Sequence, residues 1–265
     1  MKIFDSHCHL DDKSFLKDLD AVIERARNAG VARMMTIGVN NRTSVLALSL
    51  AQSHDGIFAS VGVHPHDVKN CSDSILQELK DLAKNEKVRA WGEIGLDFNR
   101  MYSPQKDQEK WFERQLEIAD GLNLPLIFHE RDSSGRFLEI LKNQGQAHIN
   151  GVVHCFSGNQ HELAQYLALG LYIGITGIVT IESRGVQLRQ LIPGIPAGRL
   201  LVETDAPYLV PAPEKKSSRR NEPAFVKSVL LKLAEVRNEE PKELAKTIWE
   251  NTCRLYQIDA CGWEA

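Results

Sequence analysis

Side-chain types that commonly bind metal ions stand at the ends of six short apolar runs in this 265-residue chain. The runs end at His9, His64, Glu93, His129, His154 and Asp205. One such run could arise by chance, whereas six, each preceded by a strand-like stretch, indicate a single site collected from many strands. Because imidazole and carboxylate groups recur there without a matching set of cysteine ligands, the pattern indicates a hydrolytic metal centre.

Strand-like and helical stretches alternate along the whole chain. The predicted strands span approximately residues 2–7, 33–39, 57–63, 88–94, 125–129, 151–155, 171–176 and 200–204. Helical periodicity is clearest over residues 14–29, 105–121, 160–169, 223–237 and 241–257. The strands are mostly continuous runs of Val, Ile, Leu and Phe, which is typical of parallel strands buried on both faces. The alternation predicts an α/β protein with a (β/α)8 TIM barrel, with a doubly wound open sheet as the alternative.

The distribution of the candidate ligands favours the barrel over the open sheet. They follow the first, third, fourth, fifth, sixth and eighth predicted strands. A closed barrel brings the carboxyl ends of all these strands to one mouth, whereas an open sheet concentrates a ligand site at its switch point. We therefore predict one domain over residues 1–265, with the barrel ending near residue 257 and a short tail over 258–265.

Composition narrows the class of protein. Hydrophobic residues make up 43% of the chain and charged residues 25%, as in a globular protein with a full core. No apolar run approaches the roughly 20 residues that span a bilayer, and the first residues lack signal-peptide features. Five cysteines, an odd number, favour reduced thiols. We predict a cytoplasmic protein without a membrane partner, with a monomer favoured. Because the net charge is −3, a polyanion would have to be attracted locally.

The first group of candidate ligands comes from the first and the eighth predicted strands. His7 and His9 are two residues apart, so on a strand they share one face and could bind the same ion. The alternative is a pair of hydrogen-bonded polar residues near a strand end. Asp5 shares that face and is predicted to orient the histidines. Asp205 would lie beside the first strand, bind a cation and orient the attacking water, with Glu203 as a helper two residues earlier.

The second group comes from the middle of the chain. Glu93 has two carboxylate oxygens and could bridge two cations, although a buried ion pair with Arg89 or Arg100 is the alternative. His129 and His154 are separated by one strand–helix step of a barrel. Each alone would be interpreted as a hydrogen-bonded core histidine, but their matching positions predict two ligands of a second ion.

Other polar residues are predicted to surround these ligands. His64 precedes a proline and is predicted to contact substrate or to support a ligand. Asp97 is predicted to support a ligand or to structure a loop. The basic segment over residues 215–223 follows the eighth strand, where barrel enzymes often bind phosphate. Arg219 and Arg220 are therefore candidate phosphate-binding residues, with a solvated basic loop as the alternative.

Taken together, these motifs resemble the TatD family of metal-dependent deoxyribonucleases, within the amidohydrolase-like barrels. The matching stretches span residues 5–10, 62–65, 92–97, 125–129, 154–158, 203–209 and 219–223. The likeness extends from residue 3 to about 257. The sequences Glu-Thr-Asp-Ala-Pro-Tyr and His-Cys-Phe-Ser-Gly are especially specific when both are present.

The resemblance implies a set of roles for this chain. It implies that the metal ligands are His7, His9, Glu93, His129, His154 and Asp205. It further implies that Glu93 bridges two divalent ions and that Glu93 and Asp205 act in catalysis. Magnesium is the expected metal, with zinc and manganese as alternatives. The implied reaction is hydrolysis of phosphodiester bonds in DNA by a metal-activated water, in some members as a 3′→5′ exonuclease, with RNA as an alternative substrate. The rival interpretations are a small-molecule amidohydrolase or lactonase and a non-catalytic metal-holding scaffold.

Overall fold

The computed structural model describes residues 1–144 and 149–260. Within these ranges the strands are β1 (Ile3–Cys8), β2 (Val31–Ile37), β3 (Ile57–Val61), β4 (Val88–Asp97), β5 (Leu126–Arg131), β6 (Gly151–Val153), β7 (Tyr172–Ile175) and β8 (Leu200–Val202). The α-helices are α1 (Leu19–Asn28), α2 (Asn41–Ser53), α3 (Asp73–Leu82), α4 (Gln105–Leu122), α5 (Arg136–Asn143), α6 (Gln160–Ala168), α7 (Val186–Leu191), α8 (Val226–Arg237) and α9 (Pro241–Leu255).

The strands form one eight-stranded sheet in sequence order from β1 to β8. This order, with helices between parallel strands, confirms the predicted (β/α)8 TIM barrel. None of the helices within residues 1–144 and 149–260 combines the length and apolar character that crossing a membrane requires. Three sequence predictions fall outside the described residues: Gly145 as the end of a helix, His148 as a surface residue, and residues 261–265 of the tail.

The chain divides into two compact units. The first contains Met1–Thr36, Cys155–Asn159 and Ile173–Ala265, and the second contains Ile37–His154 and Gln160–Tyr172. The single domain predicted from the sequence therefore stays a prediction.

The first unit joins the two ends of the strand order. β1 pairs with β2 and β7 pairs with β8, each in parallel, and Cys8 forms an isolated parallel bridge with Ala206. The backbone N–H of Asp205 donates to the carbonyl of His7 at 2.9 Å. Phe4 on β1 packs against Trp249 and Tyr256 of the last helical segment, with ring centroids 6.1 and 5.8 Å away. This packing anchors the base of β1, so that its far end can carry polar side chains.

The second unit contains β3 to β6, which pair consecutively in parallel. Its core includes Phe112 and Phe137, which are stacked with centroids 5.3 Å apart. One glycine sets the approach of β4 to β5. Gly95 has φ +139°, and a Cβ there would lie 2.0 Å from the carbonyl oxygen of His129. Only glycine fits this position, and it lets the end of β4 lie against the residue that carries a candidate ligand.

The first helix begins later than its sequence pattern predicts. Residues 14–18 of the predicted helix form turns, and α1 begins at Leu19. The backbone N–H of Ser14 donates to the Asp12 carboxylate at 2.7 Å, which favours a turn over a helix. Likewise, the predicted helix over 223–237 opens with a 3-10 turn over Pro223–Phe225 before α8. Local side-chain hydrogen bonds and proline geometry therefore override the apolar periodicity at these ends.

Candidate functional site

The first unit brings together three of the predicted ligands. The Nε2 atoms of His7 and His9 are 3.3 Å apart, and Asp205 Oδ1 lies 3.7 and 3.3 Å from them respectively. His7 is fully buried, whereas His9 and Asp205 each expose 14% of the side chain. The centre of a triangle with these sides lies about 2 Å from each corner, which is the usual length of a bond from zinc to nitrogen or oxygen. Geometry and donor chemistry therefore both suit a divalent ion.

The conformation of Asp205 depends on an asparagine to which the sequence assigned no role. Asp205 has φ +56°, in the left-handed region that aspartate tolerates better than most residues. Asn221 is fully buried, and its side-chain amide donates to the carbonyls of Thr204 at 2.8 Å and Tyr208 at 2.6 Å. These bonds hold both sides of the turn that carries Asp205. The position of Asn221 within a basic segment concealed this role in the sequence.

Asp5 is fully buried beneath the His7 end of β1. Its carboxylate oxygens lie 2.8 Å from the backbone nitrogen of Thr204 and 2.6 Å from the Thr204 hydroxyl, and Oδ1 also accepts the backbone N–H of His7 at 3.4 Å. Burial raises the pKa of Asp5 to about 8, against the opposing effect of the hydrogen bonds from Thr204. Asp5 thus ties the backbone of β1 to the residue that precedes Asp205.

Glu203 is also fully buried and connects three segments of the first unit. Its Oε1 accepts the backbone N–H of Cys155 at 2.5 Å, and its Oε2 accepts the hydroxyl of Ser6 at 3.3 Å. Cys155 has φ +49°, so this bond lies at a sharp turn directly after β6. The predicted helper role of Glu203 stays a prediction; its contacts make it a support for the backbone.

In the second unit three imidazoles surround one oxygen of Glu93. Glu93 Oε1 lies 2.9 Å from His129 Nδ1, 3.1 Å from His154 Nε2 and 3.3 Å from His64 Nε2. Glu93, His129 and His154 are arranged so that they could hold a metal ion. His64, predicted only to contact substrate or to support a ligand, thus lies directly at this cluster. Burial lowers the pKa of His64 to about 4, against the opposing charge of Glu93.

Asp97 contacts His129 at the ring nitrogen that does not face Glu93. Its Oδ2 lies 3.1 Å from His129 Nε2 and 2.7 Å from His66 Nε2, while Oδ1 accepts the backbone N–H groups of Asn99 and Arg100. Burial alone would raise the pKa of Asp97, but hydrogen bonds with His129 and His66 hold it well below its usual range. Burial lowers the pKa of His129, but the carboxylates of Asp97 and Glu93 outweigh this effect, so that the pKa is raised. His66 was not predicted as a site residue, although it is the second histidine of the turn after β3.

Two buried glutamines of α4 hold the backbone near these side chains. The Gln115 amide accepts the N–H of Val63 at 2.8 Å and donates to its carbonyl at 3.0 Å. Gln108 accepts the N–H of Asp97 at 2.8 Å and donates to its carbonyl at 3.1 Å. Each glutamine therefore makes the pair of hydrogen bonds that the backbone of a neighbouring residue would otherwise make. No local sequence signal indicates these bonds.

The two candidate phosphate-binding arginines have different surroundings. Arg220 donates to Asp18 at 2.7 and 2.8 Å and to Glu222 at 2.9 Å, and its guanidinium lies over the ring of Phe15. Arg219 is exposed. Because the carboxylates of Asp18 and Glu222 already neutralise Arg220, Arg219 is the better candidate for a phosphate contact.

Known proteins resemble this chain over nearly its full length. The sequence model described as TatD related DNase matches residues 4–257. The chain belongs to the TatD-related DNase family. The 3′-5′ ssDNA/RNA exonuclease TatD of Pectobacterium atrosepticum is 44% identical over 259 residues, which cover 97% of this chain and all of that protein. The corresponding exonuclease of Klebsiella pneumoniae is 43% identical over 98% of this chain and all of its own length.

Solved structures of the TatD family share the fold. The TatD homologue YjjV from Escherichia coli K12 superposes with a TM-score of 0.88 at 31% identity, covering 97% of this chain and 98% of its own. Membership of the TatD family confirms the resemblance predicted from the motifs and the class of hydrolase acting on phosphodiester bonds. The side chains that could hold a metal ion include Glu93 with His129 and His154, and also His64 and His66 with His129. The assignment of the six ligands stays a prediction.

Proposed function

We propose that this TatD-family protein is a metal-dependent exonuclease that removes nucleotides from the 3′ ends of single-stranded DNA or RNA. The observation that carries the proposal is that all six predicted ligands are present and that each belongs to a cluster of converging donor atoms. A degenerate scaffold would be expected to have lost at least one ligand. The substrate class follows the printed names of the relatives.

The donor chemistry fits two divalent ions. His7, His9 and Asp205 would hold one, and Glu93, His129 and His154 would hold the other. A bound divalent ion supplies charge for the phosphate oxygens and makes water more acidic. Imidazole with carboxylate suits zinc and manganese, and carboxylates also suit magnesium. In this proposal Glu93 keeps the bridging role that the family resemblance implies.

The roles of the remaining residues follow from their chemistry. A carboxylate oxygen of Asp205 would accept the proton of the attacking water and hold that water in line with phosphorus. Asp97 would keep the Nε2 proton on His129, so that His129 Nδ1 presents a lone pair. Arg219 would contact a phosphate of the strand beyond the scissile bond. The cytoplasmic location and the monomeric state belong to the proposal as well.

The rival function is hydrolysis of a small carbonyl compound by the same residues. The test is to measure the metal content of the purified protein by elemental analysis and to supply labelled single-stranded DNA and RNA. We expect the shortening to begin at the 3′ end, to stop on chelation and to return when the metal is restored. Absence of cleavage by the metal-loaded protein, with turnover of an amide or lactone, would replace the proposal by its rival.

A further inference from the structure

His64 and His129 present the same kind of atom to Glu93 but differ in the hydrogen bond made by the other ring nitrogen. His64 Nε2 lies 3.3 Å and His129 Nδ1 lies 2.9 Å from Glu93 Oε1. The remaining nitrogen of His129 faces a carboxylate oxygen of Asp97, which is an acceptor. The remaining nitrogen of His64 faces the backbone N–H of His66 at 3.0 Å, which is a donor. This difference bears on which ring nitrogen of each histidine carries a proton.

A backbone N–H can only donate, so Nδ1 of His64 accepts and carries no proton. A neutral imidazole has one N–H, and that proton is therefore on Nε2, the atom aimed at Glu93. His129 differs, because the carboxylate of Asp97 can only accept and so keeps a proton on His129 Nε2. The nitrogen of His129 that would become a metal ligand is therefore Nδ1, which would first give up the proton that it shares with Glu93. A metal ligand needs a lone pair, whereas an N–H can only donate.

We infer that His64 binds no metal ion and instead donates its Nε2–H to an anionic oxygen of a phosphate group bound at the Glu93 cluster. The inference rests on the proposed function only in that phosphate is the bound group. His64 is 8% exposed, so its proton would act in a largely water-excluded position, where a hydrogen bond to an anion is strong. The donor would be aimed before substrate arrives, because the Val63–His66 turn fixes the ring.

Two features hold this turn in place. Gln115 makes two hydrogen bonds with the backbone of Val63, directly before His64. The backbone N–H of His64 donates to the carbonyl of Val39 at 2.9 Å, and that of Asp67 donates to the carbonyl of His64 at 2.8 Å. The His66 N–H that selects the tautomer therefore belongs to a turn whose backbone is bonded on both sides.

The tautomer of His64 can be measured by NMR, without an assay of activity. Two-bond correlations between ring protons and ring nitrogens in the ¹⁵N-labelled, metal-free protein report which nitrogen of each histidine carries the proton. The His64 signals are identified by their loss in His64→Gln. We expect a protonated Nε2 and an unprotonated Nδ1 for His64. A proton on Nδ1 would overturn the inference, whatever the protein cleaves.

Metal content and phosphate binding test the role itself. His64→Ala should retain the wild-type metal stoichiometry, while the dissociation constant of inorganic phosphate from the loaded protein should rise roughly ten- to a hundredfold. His64→Gln places an amide N–H near the position of Nε2 and should recover much of that loss. His129→Ala is the matched control and should lose metal.

Each outcome decides for or against the inference. Loss of a metal equivalent from folded His64→Ala would make His64 a ligand, and phosphate affinity unchanged in that variant would remove it from the phosphate site. A wild-type protein that fails to cleave DNA and RNA would overturn the proposed function but leave the tautomer and phosphate measurements intact.

Discussion

Residues of the same type take different roles here because of their second contacts. His64 and His129 both lie beside Glu93, yet their other ring nitrogens have opposite partners. That of His64 accepts from a backbone N–H, whereas that of His129 faces the carboxylate of Asp97. Asp5 and Asp205 differ in the same way. Asp5 is fully buried and bonded to Thr204, whereas Asp205 is partly exposed and faces two imidazoles. The first supports the backbone, and the second can meet water and substrate.

Replacing Asp205 by asparagine tests its proposed role as a base. Asp205→Asn keeps the size of the side chain but removes the ability to accept and hold a proton at neutral pH. We expect turnover on a single-stranded oligonucleotide to fall about 10²–10⁴-fold, with a smaller change in oligonucleotide affinity. Single-turnover rates at saturating metal separate this effect from weakened metal binding. A rate near that of the wild type under those conditions would exclude Asp205 as the base.

At the scale of elements, α4 positions two strand ends through one repeated device. Gln108 and Gln115 are seven residues apart and therefore share a face of the helix. Gln108 pairs with the backbone of Asp97, the last residue of β4, and Gln115 with that of Val63 after β3. Both are fully buried, so their bonds are shielded from water. The helix thus sets the positions of a residue that orients His129 and of a residue next to His64.

Replacing each glutamine by methionine should separate the effect of Gln108 on Asp97 from the effect of Gln115 on Val63. Methionine has a similar length but leaves a backbone N–H and carbonyl without their partners, so each variant should lose about 2–4 kcal/mol of stability. We expect Gln108→Met to weaken metal binding through Asp97 and His129. Gln115→Met should weaken phosphate binding through His64 while metal affinity changes little. Urea unfolding, metal titration and phosphate titration of both variants check this pattern, and identical profiles would contradict it.

The loop after β8 is joined to α1 by an ionic network. Arg220 and Arg25 both contact Asp18 and Glu222. Hydrogen bonds from Arg220 lower the pKa of Asp18 to about 2, and the pKa of Glu222 is also lowered by the two arginines against the effect of burial. Arg220 lies far from Asp18 in sequence, as Arg25 does from Glu222. The sequence alone therefore did not reveal the network and suggested a phosphate site for Arg220.

The network should stabilise the protein at neutral pH and fail in acid. Because the folded-state pKa values are lowered, the contribution is present above the ordinary carboxyl pKa and disappears as pH falls towards about 2. Asp18→Asn should therefore be less stable than the wild type near pH 7, and the difference should shrink as pH falls from about 5 to about 2. Urea midpoints of both proteins across this range provide the measurement. A constant difference would show that the Asp18 charge contributes nothing.

For the molecule as a whole, the sequence predicted the features that follow from the order of apolar runs along the chain, namely the strands and the side chains at their ends. Apolar runs that end in His64, Glu93, His129 and His154 located the strands and the candidate ligands, because parallel strands present their carboxyl ends together. Contacts between residues far apart in sequence were not predictable. The bond from Asn221 to Thr204 and the network around Arg220 arise only after the chain has folded. Periodicity also placed the start of α1 too early, since it cannot detect side-chain bonds that favour a turn.

A chain with a net charge of −3 attracts a polyanion only through local cations. The exposed Arg219 and the network-bound Arg220 form a matched pair of neighbours. Arg219→Ala should weaken oligonucleotide binding and make its salt dependence shallower by about one released counterion, with unchanged stability. Arg220→Ala should lower stability, with less effect on the salt dependence. Binding titrations over a salt series, paired with urea unfolding, compare the two. If both variants leave the salt dependence unchanged, the nucleic-acid backbone is held elsewhere and the carbonyl-hydrolase rival gains ground.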